Sequence, residues 1–380
     1  LYAQSNQLLH LNMKNGVTDQ LTEFNATDNS FDCIEVNAED VDYATENWTY
    51  ANGNIDEGVG FSVVCVPEGY TYVQDNNFEQ ALIDLGYDDG LNDFVLTESI
   101  SGVTSLDVEN KSISDLTGID AFTAITYLNC RYNNLTSLDL SSNTALTELH
   151  CNNNELTSLD VSNNTGLTEL ECGNNQLTSL DVSSNTALTG LWCYENELTS
   201  LDVSNNTGLS TLWCRYNQLT YLNMRNGITD QLTVFNAIGN SLDCIETLDP
   251  DYAEENWIYG TDNCTQCIDE GVTFSILCGS QVQDDWYVVT TGSDGVGVGT
   301  QESPFATIQT GINAAGDGNT VHVSEGTYVE NIAFNGKSLA IIGENRETTI
   351  VDGSGGGRVI TFDGDNQYTI ALSGFTIKNG

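Results

Sequence analysis

Basic side chains are scarce in this chain. Nine lysines and arginines stand against 55 aspartates and glutamates, which gives a formal net charge of −46 over 380 residues. A field of that sign repels nucleic acid and anionic membranes and favours cations, basic partners or neutral sugars, although it also serves simple solubility in a salty medium. Because no run of about 18 apolar residues occurs, no membrane insertion is expected. Nucleic-acid binding and membrane insertion are therefore excluded from the predicted functions.

Histidine is almost as rare, with His10, His150 and His322 as its three occurrences. The three histidines show no Ser-His-Asp pattern and no histidine–metal spacing in the sequence. The stretch DGVGVG at residues 294–299 lacks the long βαβ unit of a dinucleotide site, so it is interpreted as a turn-rich loop. We predict no enzyme activity and no catalytic residue for this stretch of chain.

A repeat of 21 residues is the dominant feature of the sequence. Residues 125–208 contain four copies, of which LTELHCNNNELTSLDVSNNTG (residues 146–166) is the clearest, and a shorter copy begins at Leu209. A fixed period of this length predicts a solenoid. Each copy repeats the frame L-x-x-L-x-[C/V]-x-x-N within itself, so apolar residues alternate with residues that face solvent. We expect two short strands per coil, back to back around a thin apolar core.

This frame resembles the leucine-rich repeats, in particular the nested, internalin-like 21-residue class called IRREKO, with the consensus LxxLxCxxNxLxxLDVSxNxx. The resemblance covers residues 103–245 and is specific, because one frame recurs without slippage. It implies an extracellular bacterial protein, secreted or held at the cell surface, whose solenoid recognises or adheres to a partner. Periodicity alone indicates only a stacked solenoid.

The chain also contains the end of an earlier array. Residues 1–35 align without gaps on residues 212–246, and both copies continue through an Asn-Trp pair, an IDEG stretch and a final cysteine. An open solenoid end exposes core and unpaired strand edges, so each array should close with a cap. The expected domains are the end and cap of a first array (1–65), a helical opening cap (66–102), the solenoid (103–245), its closing cap (246–280) and a further domain (281–380).

A short amphipathic helix is expected in the opening cap. In DNNFEQALIDLG the apolar side chains share one helical face, and the pattern predicts Asn76 with Glu79 as a capping box and Gly86 as the terminator. The following turn, YDDGLND at residues 87–93, is acidic but lacks the ligand spacing of an EF-hand loop. No cofactor is predicted, and calcium at this turn is left open.

Residues 281–380 change to short strand signals separated by Gly, Asn and Asp turns. Before them a short helix is predicted, with Ser303 as N-cap and Pro304 at the first helical position. Its apolar face holds Phe305, Ile308 and Ile312. The pattern resembles the first coils of pectate-lyase-like right-handed parallel β-helices. That family includes polysaccharide lyases and hydrolases whose carboxylates or Ca²⁺ sites lie on later coils, so no catalytic residue is carried over. Both chain ends are expected to lie inside a longer protein.

Eleven cysteines are many for this chain, and they fall into two groups. Five recur at the repeat spacing and form a cysteine ladder: Cys130, Cys151, Cys172, Cys193 and Cys214. Because alanines occupy equivalent positions elsewhere, this position requires a small apolar side chain rather than sulfur, and a metal or redox array is the less favoured interpretation. The other six lie in caps and predict three disulfides, which indicate an oxidising, extracellular location: Cys33 with Cys65, Cys244 with Cys278, and Cys264 with Cys267.

Asparagines and aspartates recur at the same spacing. The asparagines are expected to satisfy backbone groups of neighbouring coils. The aspartates, including Asp107, are expected to stack outward on the second strand, where adjacent like charges destabilise a sheet. Neighbouring hydroxyls and solvent screening are the favoured compensation, and bound cations are the alternative. No metal site is predicted, and the only candidates are the acidic ladder residues Asp139, Asp160, Asp181 and Asp202.

The first strand of each coil differs from the second, because its outward residues vary while the second strand keeps repeating TSLDVS. Aromatic and basic side chains gather there, and such residues are typical binding anchors on solenoid surfaces. Shielding of the sheet edge is the alternative role. The predicted ligand-binding residues are Trp192, Trp213, Tyr194, Arg215 and Tyr216, with Arg131, Tyr132 and His150 on the same face.

Together these features predict a mainly β, multi-solenoid segment of a bacterial protein that is secreted or held at the cell surface. The favoured function is recognition or adhesion, with a protein or glycan ligand on the variable strand face and a monomeric segment within a larger chain. One alternative is the targeting segment of a polysaccharide-active lyase or hydrolase whose catalytic coils lie beyond residue 380. Another is a structural spacer.

Overall fold

A computed structural model of the chain describes residues 1–8, 10–16, 18–259, 266–278, 283–362 and 369–380. Short parallel strands dominate these residues, which confirms the predicted mainly β, leucine-rich-repeat solenoid. The described residues form two compact units, Leu1–Tyr72 with Phe94–Glu98 and Val73–Asp93 with Ser99–Gly380. None of the described helices is both long enough and apolar enough to cross a membrane. The finer domain boundaries expected from the sequence stay predictions.

The first unit has short elements around an aromatic core. Strands β1 (Cys33–Glu35) and β2 (Gly60–Ser62) pair in parallel, and β3 (Tyr70–Tyr72) and β4 (Phe94–Leu96) pair antiparallel. They are accompanied by helix α1 (Val41–Asn47) and the 3₁₀ turns Thr18–Gln20 and Ala38–Asp40. Trp48 stacks on Phe24 with ring centroids 4.3 Å apart, and both side chains are buried. Aromatic burial therefore stabilises this unit where regular pairing is sparse.

Asp75 fixes the helix that opens the second unit. Its Oδ1 accepts two backbone N–H bonds, at 2.8 and 3.1 Å, from the start of α2 (Asn76–Asp84), so Asp75 is the N-cap. The capping box predicted from Asn76 and Glu79 is therefore wrong. Glu79 is fully buried and accepts a hydrogen bond from the N–H of Asn92 at 2.7 Å, because its side chain turns inward and cannot reach the helix start.

The same aspartate attaches the helix to the first coil. The Oδ2 of Asp75 accepts from the N–H of Ser114 at 2.7 Å and from its hydroxyl at 2.6 Å. Gly86 follows α2 with a left-handed φ of 79° and ends the helix as expected. A further short helix, α3 (Thr97–Ile100), precedes the coils.

The array consists of stacked coils that contribute strands to two parallel sheets. A nine-stranded sheet runs in the order β15-β16-β13-β11-β9-β8-β7-β6-β5 and a four-stranded sheet in the order β10-β12-β14-β17, counted over the described residues. Equivalent segments of successive coils are neighbours, so Leu149, Leu170 and Leu191 lie side by side. In chain order the strands are β5 (Ser105–Asp107), β6 (Tyr127–Asn129), β7 (Glu148–His150), β8 (Glu169–Glu171), β9 (Gly190–Trp192), β10 (Ser200–Asp202), β11 (Thr211–Trp213), β12 (Tyr221–Met224), β13 (Val234–Asn236), β14 (Cys244–Thr247), β15 (Ile258–Tyr259), β16 (Gln266–Ile268) and β17 (Thr273–Ser275).

The second segment of each coil forms a strand only from Ser200 onward within the described array, which corrects the expectation of two strands in every coil. In the earlier coils, side chains take the backbone groups that a strand ladder would use. Asp160 accepts a hydrogen bond from the N–H of Ser162, and Asn185 donates to the carbonyl of Val161. Local polar side chains thus compete with the ladder for the backbone.

A thin apolar core fills the coils. All five cysteines of the cysteine ladder are free thiols in fully buried positions. Burial raises the pKa of the Cys130 and Cys193 thiols to about 12, so they stay neutral near pH 7. Ala26 and Ala237, which occupy the equivalent position elsewhere, are equally buried. The position therefore behaves as a small apolar site, as the sequence indicates.

An asparagine in each coil joins it to the preceding one. The Nδ2 of Asn175 donates to the carbonyl of Cys151 in the preceding coil at 3.1 Å and to that of Cys172 in its own coil at 3.0 Å. Its Oδ1 accepts from the N–H of Leu156 at 3.0 Å. The same three bonds recur at Asn154 and Asn196. These side chains satisfy backbone groups at the turns, as predicted.

Disulfides close both caps. Two of the three expected pairs are present, with Cα atoms 5.6 and 5.7 Å apart: Cys33–Cys65 and Cys244–Cys278. Cys267 is disulfide-bonded, and its predicted partner Cys264 lies outside the described residues. Beside the second disulfide, helix α4 (Pro250–Asn256) is followed by Trp257, whose ring centroid lies 4.5 Å from that of a buried phenylalanine of β13.

The glycine-rich loop at residues 294–299 packs on the closing end of the array. Arg225, whose side chain is 2% exposed, pairs with Glu246 at 3.2 Å and donates to the carbonyl of Gly297 at 2.6 Å. Asn223 donates to the carbonyl of Gly295 at 3.1 Å. The loop therefore serves packing within the second unit, which agrees with its interpretation as a turn-rich loop.

The last segment of the second unit stacks short strands in three parallel sheets, β18-β19-β22-β25, β20-β23-β26 and β21-β24, among the described residues. One strand per successive turn in each sheet is the arrangement expected of β-helix coils. The handedness and the pectate-lyase-like resemblance stay predictions. The strands are β18 (Asp285–Val288), β19 (Thr320–Val323), β20 (Gly326–Val329), β21 (Ile332–Ala333), β22 (Ala340–Gly343), β23 (Thr349–Asp352), β24 (Ile360–Thr361), β25 (Ala371–Ser373) and β26 (Thr376–Lys378).

The helix of this segment begins later than the sequence predicts. Thr307 is the N-cap of α5 (Ile308–Ala314), and its hydroxyl accepts from the N–H three residues later at 3.2 Å. The predicted roles of Ser303 as N-cap and Pro304 as first helical residue are therefore wrong. Phe305 bridges the neighbouring strand β18, so the chain is still extended at that point.

Replacing Leu170 with alanine should lower the free energy of unfolding by roughly 2–5 kcal/mol, because the side chain is fully buried between coils and leaves a cavity. Cys172→Ala, at a position that is equally buried, should cost only about 1 kcal/mol. Urea unfolding followed by circular dichroism measures both values. Equal costs at the two positions would contradict the assignment of the cysteine ladder to a small apolar site.

Glu79→Gln should stabilise the protein at neutral pH. Burial, and then the neighbouring carboxylates of Asp88 and Asp93, raise the pKa of Glu79 above its ordinary 4.5 despite two backbone N–H bonds that lower it. A raised folded pKa contributes stability below the unfolded pKa and loses it as pH rises through the folded pKa. The advantage of Glu79→Gln should therefore grow above about pH 4.5 toward roughly 1 kcal/mol. Unfolding measured from pH 4 to 7 checks this, with the exposed Glu155→Gln as control; a difference that does not change with pH contradicts it.

Candidate recognition surface

Three columns of outward side chains cover the nine-stranded sheet and form the first-strand face. Strand register places equivalent residues of successive coils side by side, between inward leucines and cysteines. The columns consist of Tyr127, Glu148, Glu169, Gly190 and Thr211; of Asn129, His150, Glu171, Trp192 and Trp213; and, just beyond the strand ends, of Arg131, Asn152, Gly173, Tyr194 and Arg215.

Residues of two successive coils form an aromatic–basic cluster on this face. The cluster consists of Trp192, Tyr194, Trp213, Arg215 and Tyr216. The guanidinium carbon of Arg215 lies 5.2 Å from the ring centroid of Trp213, 5.5 Å from that of Tyr216 and 5.6 Å from that of Tyr194. Tyr194 and Trp213 meet edge to face at 6.2 Å. Aromatic faces attract a cation at these distances, so three rings hold the guanidinium in place.

Glycines leave the sheet open beneath the rings. A Cβ at Gly190 would lie 2.4 Å from the indole of Trp192, and a Cβ at Gly173 would lie 2.6 Å from the ring of Tyr194. Real Cβ atoms do not approach so closely, so any other residue would displace the rings. Sequence analysis missed these glycines. The visible signal was glycine at outward strand positions where the other coils carry glutamate or asparagine.

Tyr132 and Tyr216 occupy a strained backbone position. The residue after the third column has a φ between 52° and 59° in five successive coils, and two of these residues are Asn153 and Asn174. Asparagine tolerates the left-handed region, whereas a bulky residue does so at a cost on the order of 1 kcal/mol or more. Tyrosine at this position therefore indicates selection for the ring rather than for the backbone.

Two donors inside the cluster are not used by the described residues. The Nε of Arg215 and the indole N–H of Trp213 have no hydrogen-bond partner among them. Arg131 and Arg225 pair with glutamates, but no described carboxylate lies within 4.0 Å of Arg215. Because buried donors are nearly always satisfied in native proteins, the cluster has donor capacity and positive charge left for a ligand.

The other three predicted residues lie apart from the cluster. Arg131 donates to Asn129 in its own coil at 3.1 Å and to Glu171, two coils further on, at 3.2 Å. Its side chain therefore crosses the coil that carries His150, which is only 8% exposed and lies 5.3 Å edge-on from the ring of Tyr127. The expected exposure of His150 is wrong, because these neighbours cover it. Tyr132 is exposed.

A second group on this face escaped the sequence analysis. Glu148, His150 and Glu169 bring a carboxylate, an imidazole and a second carboxylate together on β7 and β8. The signal was available, because residues two apart on a strand share a face and the 21-residue period places Glu169 beside Glu148. The absence of a histidine–metal spacing was inferred from linear motifs alone.

The acidic ladder is neutralised locally. Its four aspartates each accept a hydrogen bond from the backbone N–H of the serine two residues later, at 2.8 to 2.9 Å. The hydroxyl and the N–H of that serine lower the pKa of Asp160 and Asp181. Asp107 lies elsewhere, in β5 of the nine-stranded sheet opposite Asn129, so its expected place in this stack is wrong. Calcium at the acidic ladder or at residues 87–93 stays a prediction.

The stacked coils, their asparagine turns and their disulfide-linked caps define the class of this chain, which carries a leucine-rich-repeat domain. Residues 101–206 match the family model of the leucine-rich-repeat (LRR) domain of endo-β-N-acetylglucosaminidase EndoS. This match covers the array and not the caps or the last segment.

Individual relatives are internalins. Internalin J of Listeria monocytogenes serotype 4b (strain F2365) is 43% identical over 69 residues, which are 18% of this chain and 7% of that protein. A solved structure of the functional domain of InlJ from Listeria monocytogenes, described as including a cysteine ladder, is 25% identical with a TM-score of 0.40, over 81% of this chain and 72% of that one. An internalin (InlF) structure from L. monocytogenes strain 4b F2365 is 18% identical with a TM-score of 0.38, over 80% and 95% of the two chains.

Replacing Tyr216 with asparagine, the residue of two other coils at this position, should change the free energy of unfolding by less than about 1 kcal/mol. Relief of the left-handed strain offsets the lost ring contacts. Tyr127→Asn, in a regular strand, offers no such relief and should cost more. Urea unfolding of the two variants is the measurement, and an equal cost would remove the evidence for strain at Tyr216.

Proposed function

We propose that this chain is an extracellular recognition segment of a bacterial protein, secreted or held at the cell surface, that binds a partner through its first-strand face. The observation that carries the proposal is Arg215, which is surrounded by three aromatic rings and has no described carboxylate partner. Tryptophan, tyrosine and arginine are the residues most enriched among binding hot spots. The disulfides in both caps support an oxidising location.

Retention of the cluster at a structural cost supports a role in binding rather than in shielding the sheet. Glycine weakens the strand beneath the rings, and the left-handed Tyr216 strains the backbone. A shielding side chain requires neither, because Asn153 and Asn174 serve the same turn in other coils. The cluster is therefore the part of the first-strand face where we place the centre of the interface.

A protein is the partner that this surface fits best. The cluster is an island of positive charge in a chain of net charge −46, and Glu169 and Glu171 lie in neighbouring coils of the same face. A complementary partner would carry a basic rim around an acceptor or carboxylate that meets Arg215, because charge patterns across interfaces are complementary. The similarity of the repeats to an internalin favours the same class of ligand.

A glycan ligand is the second candidate, and one observation favours it. The matching family model is the leucine-rich-repeat domain of an endo-β-N-acetylglucosaminidase, an enzyme whose name specifies glycan cleavage. In that case the array would target a polysaccharide-active enzyme to its substrate, and catalysis would belong to other parts of the protein. The segment itself would remain a non-catalytic binding module.

Binding should be lost when Trp192 and Trp213 are both replaced by alanine. Both rings lie outward between buried leucine and cysteine side chains, so their truncation opens no core cavity. Aromatic anchors typically cost about 2 kcal/mol or more each, roughly thirtyfold in affinity. The wild-type chain is first screened on protein and glycan arrays, and its strongest ligand is then measured against the variant by surface plasmon resonance.

Asp160→Asn with Asp181→Asn is the matched control, because it changes two outward residues of other segments without touching the cluster. The control should bind nearly as well as the wild type, apart from a weaker long-range field. Loss of binding in the control but not in the tryptophan variant would move the functional surface to the acidic ladder. A protein hit supports the first candidate, a glycan hit supports the second, and no hit on either array leaves the spacer role.

A further inference from the structure

A histidine and two glutamates meet on the first-strand face, two coils before the aromatic–basic cluster. Glu148 and His150 lie two residues apart on β7, and Glu169 is the register partner of Glu148 on β8. One ligand atom from each of the three side chains lies within 4.8 Å of the other two. Three donors thus converge from two adjacent strands of a rigid sheet.

The imidazole of His150 is buried and unsatisfied. Its side chain is 10% exposed, and neither Nδ1 nor Nε2 makes a hydrogen bond with any described residue. The Nε2 lies 3.8 Å from the Oε1 of Glu171, beyond hydrogen-bond distance, and that carboxylate is held by Arg131 at 3.2 Å. Buried polar atoms in native proteins nearly always have a partner, so this ring nitrogen calls for one that the described side chains do not supply.

The two glutamates add an electrostatic reason for the same partner. Their side chains leave adjacent strands at paired positions on one face, where like charges destabilise a sheet. A basic side chain would offset them, but Arg131 is already occupied by Glu171 and Asn129. A cation between Glu148 and Glu169 would offset their repulsion and would also satisfy His150.

We propose that Glu148, His150 and Glu169 bind a divalent transition-metal cation, with Zn²⁺ as the best fit to the donor set. One imidazole nitrogen with carboxylate oxygens suits zinc, whereas calcium takes oxygen ligands. Around a tetrahedral centre with bonds of about 2.1 Å, ligand atoms lie roughly 3.4 Å apart. The half-exposed glutamates can close the remaining distance by changing rotamer, while the buried histidine stays in place.

Bound at this place, the cation cross-links β7 and β8 on the same face that carries the aromatic–basic cluster. Its remaining coordination positions point away from the sheet, toward water or toward an oxygen of a partner molecule. The proposal does not depend on the nature of the ligand at the cluster, because it rests on donors in other coils.

Zinc titration of the full chain tests the site. Protein freed of metal with EDTA is titrated with ZnCl₂ by calorimetry, in physiological salt with excess calcium to occupy exposed carboxylates. One saturable zinc equivalent is expected, together with a zinc-dependent rise of the thermal midpoint. Glu148→Gln and Glu169→Gln should each weaken zinc affinity about tenfold or more while leaving the circular dichroism spectrum unchanged.

Two control variants and a spectroscopic probe separate this site from other ligands. Asp160→Asn with Asp181→Asn, and His322→Asn at an exposed histidine of β19, should leave zinc affinity unchanged. Co²⁺ in place of Zn²⁺ should give visible absorption without a thiolate charge-transfer band. The proposal is overturned by the absence of a saturable zinc equivalent, by zinc affinity that survives both glutamate substitutions, or by a thiolate band that assigns the metal to the cysteine ladder.

Discussion

One side-chain amide per coil holds this solenoid together. Each asparagine of the Asn175 type joins the carbonyl of its own coil to that of the preceding coil and accepts the N–H that follows the earlier turn. An isolated coil buries too little surface to fold, so the contact between coils decides stability. It also fixes the register at 21 residues, because any slip would leave these buried backbone groups unpaired.

Register in turn determines where chemistry accumulates. Side chains at one repeat position stack in a column, so the turn that carries Asp160 and Ser162 is reproduced coil after coil. On the first-strand face the same frame is free to vary, and two different groups result: carboxylates with an imidazole around His150, and rings around Arg215. The fold therefore separates a constant, self-neutralised side from a variable side that can be given new functions.

The sequence predicted what the period controls and missed what depends on reach. The solenoid, the buried cysteine position and the asparagine contacts all follow from residue spacing. The cap residues were misassigned by one position at Asp75 and by several at Thr307, because adjacent polar residues are equivalent in a pattern and only packing selects one. The burial of His150 depends on Arg131 extending across two coils to Glu171, which no local pattern contains.

The duplicated caps show the same logic at larger scale. Lys14 pairs with Glu35 in the first unit as Arg225 pairs with Glu246 in the second, and each glutamate also accepts the N–H of the final cap cysteine. The pair is thus a repeated device for closing an array, and a difference in the cation is tolerated. In the second unit the arginine has the further task of holding the carbonyl of Gly297.

The identical hydrogen bonds between internal coils have a consequence for how such a chain can evolve. Because each coil presents the same donors and acceptors to both neighbours, recombination can insert or delete a unit of 21 codons without creating a mismatched edge. Two surface groups on one face would then move apart or together in steps of about 4.8 Å, the spacing of adjacent strands. The spacing between His150 and Trp192 is in this sense a graduated scale, which selection can set to the dimensions of a partner without altering either contact.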